Sequence, residues 1–205
     1  MYVPNHFAMT DVATLHALVR ERSFATLVSV LDGEPFATHV PLLLDADRGP
    51  LGTIVGHVAR GNPHARAFDG ATPALAIFRG PHAYVSPRWL ASEPNVPTWN
   101  YLTVHAVGRP RVQDDAKRVR DLLVRTAAAY ESGPTPWTLD AVPGRYAEKL
   151  ANAIVAFDMP IEKLLGKHKL SQNKSPADRA GVAAALRAQD EPDALAIASA
   201  MERLA

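Results

Sequence analysis

No cysteine occurs anywhere in this chain. That absence excludes disulfides, thiolate zinc centres and a cysteine nucleophile, and it fits a cytoplasmic protein. An excess of charge is missing as well: 22 basic against 21 acidic residues leave a formal net charge of +1, so no global field draws the chain to nucleic acid or a membrane. No apolar run approaches the roughly 20 residues of a membrane helix, and the start MYVPNHFAMTD lacks the basic-then-apolar order of a secretory signal. Neither GxGxxG nor GxxxxGKS/T is present, and neither is HExxH or GxSxG. The two common glycine-loop nucleotide folds, zincin-type metal catalysis and a serine nucleophile elbow therefore have no support. The eight histidines are scattered without a metal-ligand spacing.

The remainder is ordinary globular composition, 47% hydrophobic and 21% charged over 205 residues, enough for one core burying roughly 70% of the unfolded surface. The pattern predicts a helix from Asp11 to about Arg22 capped by Thr10, then extended runs at Phe24–Leu31 and Pro35–Leu44 around the hairpin signal Asp32-Gly33. Short apolar strands follow at Leu51–His57 and Ala74–Arg79, and Gly80-Pro81 is expected to turn the chain into another at Ala83–Ser86. Asp114 or Asp115 caps a helix to about Tyr130, Ala141–Ala151 reads as helical, and Ala153–Met159 reads as a last strand extending towards Leu165. Two tail helices start at Ser175-Pro176 and at Pro192. About seven strands joined mainly by short turns point to an antiparallel barrel rather than alternating βα units.

The segment Pro94–Gly108 carries the most information, because a strand needed only for packing alternates apolar and polar residues and this one does not. Period two puts Trp99, Tyr101, Thr103 and His105 on one face and Thr98, Asn100, Leu102, Val104 and Ala106 on the other. One face reads as the floor of a ligand site. In Gly56–Phe68 a strand enters a short helix with Asn62 at its cap and Pro63 in its first turn, and helix starts attract anions. Arg60, His57 and Gly61 adjoin that junction, so it reads either as a phosphate turn or as a plain structural cap. Gly166–Arg179 gathers lysines and amides before a helix capped by Ser175, with Asp178 as capping-box partner. It reads either as a flap over a polar ligand or as a solvated basic loop. Trp89 and Leu90, beside Arg88, read as a buried plug or as a lid.

MYVPNHF at 1–7, GHVARGNPH at 56–64, YVSPRWL at 84–90, VPTWNYLTVHAVG at 96–108 and KLSQNK at 169–174 run in order along nearly the whole chain. On these motifs the chain resembles the PaiB family, FMN-binding negative transcriptional regulators related to the flavin-binding split barrels. The resemblance implies an α+β, mainly β architecture: an antiparallel split β-barrel with peripheral helices and a helical C-terminal tail. It implies a flavin domain over residues 1–170, a helical extension over 171–205 packed on it, FMN as cofactor and a homodimer with flavin at the subunit interface. Carried onto this chain, His57, Arg60 and Asn62 match the segment near the flavin phosphate. Trp99, Asn100 and Tyr101 match the central motif, and Lys169, Ser171, Gln172 and Asn173 the C-terminal one. Leu90 and His168 stand where the family commonly carries aromatics.

The expected function is a cytoplasmic FMN-binding protein, either an FMN-dependent redox protein or a flavin-linked negative regulator of transcription. A DNA-binding repressor without flavin chemistry is the alternative, although no helix-turn-helix pattern is visible and only Lys163, Lys167, Lys169 and Lys174 approach a basic patch. A haem-binding or apo dimeric interaction module is the third reading. No residue stands out as an acid or base.

Overall fold

The computed structural model describes residues 1–204. Among the described residues, eight strands and five α-helices alternate with short 3-10 turns. The hairpin signal is met: β2 (Phe24–Leu31) and β3 (Glu34–Asp45) are antiparallel, with Leu31 opposite Glu34. Asp32 at φ 54° and Gly33 at φ 85° supply the two left-handed residues that a tight two-residue turn needs. β3 then leaves β2 and pairs β4 (Thr53–Ala59) from Leu42 to Asp45. β4 in turn pairs β8 (Ile154–Lys169) from Thr53 to Ala59. With β1 (Ala8–Met9), β5 (Ala74–Val85), β6 (Thr98–Gly108) and β7 (Arg111–Gln113), the order is β1-β8-β4-β3-β2-β5-β6, with β7 beside β8. β8 also pairs β6, and the mostly antiparallel sheet with flanking helices is the architecture expected of the split-barrel resemblance.

Two expectations about strands need correction. Gly80-Pro81 does not turn the chain, because β5 runs unbroken from Ala74 to Val85. A Cβ at Gly80 would lie 2.9 Å from the Leu102 carbonyl oxygen, so this glycine serves the close approach of a neighbouring backbone. The last strand is also far longer than Ala153–Met159, spanning Ile154–Lys169.

Helix α1 (Val12–Glu21) is capped by Asp11 rather than Thr10, since Asp11 Oδ2 accepts from the Thr14 N–H at 2.8 Å. α2 (Ala116–Tyr130) is capped by Asp115, and α3 spans Gly144–Asn152. Helices α4 (Pro176–Arg187) and α5 (Pro192–Glu202) each begin at proline. Among the described residues no helix is long and apolar enough to cross a membrane.

The chain divides into two compact units. The first comprises Met1–Leu18, Arg79–His105 and Leu165–Ala205. Its core sets Val182, Leu186, Ile197 and Met201 of α4 and α5 against Val85 and Leu170. Trp89 and Leu90 pack on that core as a plug, and the Trp89 carbonyl lies so close to Gly181 that a Cβ there would meet it at 2.3 Å. The second unit comprises Val19–Phe78 and Ala106–Leu164. On one face of its sheet Leu122 of α2 is buried against Val55 and Ala156.

Candidate functional site

In the first unit, β6 keeps the two faces that its sequence predicts. Asn100 and Val104 are fully buried on one face; on the other, Trp99 is 51% exposed, Tyr101 and His105 are half-buried and Thr103 is buried. Trp99 is flanked by two rings of β5. Its ring lies 6.0 Å from that of His82 in a stacked arrangement, and Tyr84, 43% exposed, meets it edge-on at 5.9 Å. Trp89 supports Tyr84 edge-on at 6.3 Å. The result is a shelf of flat rings open to solvent, an arrangement suited to stacking a planar ligand.

Two lysines of β8 stand two residues apart on the same strand face beside this floor. Lys169 Nζ donates to Thr98 Oγ1 and to the Trp99 carbonyl, the latter at 2.8 Å. Burial, with the Lys167 charge as the smaller cause, holds the Lys169 amine below the usual lysine range. Lys167 is only 8% exposed. Its Nζ donates to the Tyr2 carbonyl at 3.2 Å and lies 5.3 Å from the Tyr101 ring, 5.7 Å from Tyr2 and 6.0 Å from Phe7. Farther along β6, burial and then the N-terminal amine keep His105 below the usual imidazole range, which favours its neutral form.

The other residues of the two motifs support this floor from behind. Asn100 Nδ2 donates to Ser171 Oγ at 3.1 Å and to Met201 Sδ at 3.4 Å, which fixes β6 to the helical tail. Ser171 is itself buried and holds φ 61°. Gln172 braces its own turn, accepting from the Leu170 N–H at 2.7 Å and donating to the His168 carbonyl at 2.6 Å. Asn173 is exposed. Asp178 departs from the expected capping box: its carboxylate accepts from the Ala91 and Ser92 amides at 2.8 and 2.9 Å and from Ser92 Oγ at 2.7 Å. Those bonds hold it down at about 2 and clamp the loop leading towards β6 onto α4.

In the second unit, Asn62 caps a five-residue 3-10 turn, Pro63–Ala67. The free amides expected there are not available. Asn62 N–H donates to the Ala59 carbonyl at 2.8 Å, Pro63 has no N–H, His64 N–H donates to Asn62 Oδ1 at 3.0 Å, and Ala65 N–H donates to the Asn62 carbonyl at 3.2 Å. Arg60 is engaged as well, its Nε and Nη2 donating to the carbonyls of Asn152 and Ile154 at 2.5 and 2.8 Å. The amides of Asn62, His64 and Ala65 are thus bonded within the fold, and Arg60 spends two of its five N–H groups on backbone carbonyls. His57, on β4 opposite Ala156, is half-buried; its Nδ1 is buried without a partner, and burial lowers its pKa. A cavity of about 210 Å³ elsewhere in this unit is lined by Asp45, Arg48, Arg118, Arg125 and Asp158, whose charges largely compensate one another. His64, with no exposure at all, is held between Thr38 Oγ1 at 2.9 Å and Ser29 Oγ at 3.0 Å.

The β6 side of this shelf, Trp99 and Tyr101, is legible in the sequence, whereas His82 and Tyr84 of β5 and Lys167 are not among the site residues it suggests. The only signals of Lys167 are the period-two spacing to Lys169 and the aromatic residues of MYVPNHF.

Residues 1–163 match the sequence profile of a family described as "Putative FMN-binding domain". The chain is 34% identical over 202 residues to "Protease synthase and sporulation protein PAI 2" of Bacillus subtilis, covering 98% of this chain and 97% of that protein. Among solved structures it resembles the flavocytochrome Anf3 from Azotobacter vinelandii, with TM-score 0.64 and 16% identity over 87% of this chain and 78% of that one. It also resembles the FAD and heme binding protein from Mycobacterium smegmatis, with TM-score 0.58 and 23% identity over 84% and 78% of the two chains.

Proposed function

The chain belongs to this FMN-binding family, and from that membership we propose that it is a PaiB-type flavoprotein whose ring shelf on β5 and β6 holds the flavin. The observation that carries the reading is the half-exposed indole of Trp99 beside the half-buried amine of Lys169. The donor set suits a flavin nucleotide: open aromatic faces for a planar ring, and cations without carboxylate partners for an anionic end. A bound flavin supplies electron transfer. The protein's part is to bind and orient it: Trp99 and Tyr84 offer stacking faces, Tyr101 and Lys169 bound the floor, and Asn100, Ser171 and Gln172 keep that floor rigid. His57 lies on β4 and Arg60 and Asn62 lead into the 3-10 turn, and the contribution of Arg60 to flavin binding is tested below.

Residues 1–170 form the flavin domain in this reading and 171–205 its helical extension, consistent with a family match ending at residue 163. The protein acts in the cytoplasm as a redox protein or a flavin-linked regulator, and it works as a homodimer. The outer face of β2 supports self-association, because Phe24 and Val30 are 70% and 58% exposed on it. The test is titration of flavin into the purified protein, followed by quenching of its fluorescence. Wild type is expected to saturate, and Trp99→Ala to bind at least about tenfold more weakly while unfolding at an unchanged temperature. Equal affinity in the two proteins would remove the shelf from the site.

A further inference from the structure

From the lysine pair of β8 we infer a phosphate-monoester site on the first unit, in which Lys167 and Lys169 together take the dianion beside the Tyr101 ring. A buried ammonium normally has a carboxylate close by. Here every ion pair of the described residues uses arginine or histidine, and none includes a lysine. Carboxylates of the same unit are engaged elsewhere: Asp11 with Thr14, Asp178 with Ser92, Asp193 with the His82 amide, and Glu202 with Arg187. Glu93, Asp190 and Glu191 are exposed.

The hydrogen-bond count points the same way. An ammonium carries three N–H groups. Lys167 spends one on the Tyr2 carbonyl and Lys169 spends two, on Thr98 and the Trp99 carbonyl. Among the described residues, two N–H groups on Lys167 and one on Lys169 are left without a protein acceptor, although Lys167 is only 8% exposed. The rings of Tyr2, Phe7 and Tyr101 offset part of the cost of burying that charge, but they accept no strong hydrogen bond. An anion with several oxygens satisfies what the rings cannot. At the Pro63–Ala67 turn, by contrast, the amides of Asn62, His64 and Ala65 are already bonded within the fold.

The phosphate can belong to the flavin nucleotide, which rests on the reading above, or to a second ligand. Affinities of FMN and of riboflavin, which lacks the phosphate, are to be measured in wild type, Lys169→Met and Lys169→Arg, together with thermal protection by inorganic phosphate. If the phosphate is the flavin's, wild type prefers FMN to riboflavin, Lys169→Met loses that preference by about tenfold or more whatever its effect on the ring floor that both flavins share, and Lys169→Arg retains it. If neither flavin binds but inorganic phosphate raises the unfolding temperature of wild type and not of Lys169→Met, the phosphate site stands and the flavin reading alone fails. The inference is overturned if Lys169→Met weakens FMN and riboflavin equally, or if phosphate protects the variant as well as wild type.

Discussion

Ser171 offers a sharp test of how the floor of the site is held. Its backbone sits at φ 61°, a left-handed conformation unfavourable to residues bearing a Cβ, while its hydroxyl pairs with the buried Asn100 amide at 3.1 and 3.3 Å. Ser171→Ala keeps the backbone penalty and strips the amide of a partner inside the protein, which costs about 1–3 kcal/mol. Ser171→Gly loses the same hydroxyl but accepts the left-handed backbone freely, so it is expected to be about 1 kcal/mol more stable than the alanine variant. Urea unfolding followed by tryptophan fluorescence measures both, and the order of midpoints should be serine, then glycine, then alanine at equal slope. Because Asn100 lies on β6 with Trp99 and Tyr101 on either side of it, flavin affinity should fall in the same order. If alanine equals or exceeds glycine, the left-handed turn stores no strain, and the reasoning that makes KLSQNK a structural support is refuted.

Further outcomes are accessible with the same equipment. Burial lowers the pKa of His57, His64 and His105 below the ordinary 6.5, so the unfolded chain takes up protons before the folded one does. Stability should therefore fall as pH drops from about 6.5, and a urea midpoint unchanged between about pH 7.5 and about pH 5.5 would contradict this. Asp178 has the opposite chemistry at lower pH: its stabilisation is complete above about 4 and lost as pH falls through about 2, a step that Asp178→Asn should remove from the acid-unfolding curve. Gly108→Ala should yield unstable or insoluble protein, since its Cβ would fall 2.2 Å from the Pro160 carbonyl oxygen, whereas Gly61→Ala, with nothing within 4 Å, should leave the unfolding temperature unchanged. Arg60→Ala should cost about 1 kcal/mol of stability through its two carbonyl bonds and leave FMN affinity intact; a tenfold loss of FMN affinity without a stability change would return the phosphate to that turn.

Much of the architecture follows from local patterns that tertiary packing leaves alone. The Asp32-Gly33 hairpin, the caps at Asp115, Asn62 and Ser175, and the two faces of β6 are set by turn chemistry and period-two geometry acting within a few residues. Gly80-Pro81 signals a turn locally, but in the fold Gly80 instead permits a backbone to lie against Leu102. At the helix start after Gly61, composition does not reveal that Ala59 and Asn62 bond amides of the turn or that Arg60 donates to the carbonyls of Asn152 and Ile154. Lys167 is legible only as part of a basic run for a similar reason: a lysine in such a run reads as solvated, and only the fold brings Tyr2, Phe7 and Tyr101 around it. Asn100 shows the converse, a polar residue of a ligand-like motif that is fully buried and serves the rings on either side.

The central claim is that the β5 and β6 shelf of this chain carries a flavin. An absorbance spectrum of the purified full-length protein, recorded after equilibration with FMN and removal of the excess, tests it most directly. The account predicts a yellow protein with resolved flavin bands, near one flavin per chain, released on denaturation and diminished in Trp99→Ala. A colourless protein that retains no flavin, or a flavin content indifferent to Trp99, would contradict it.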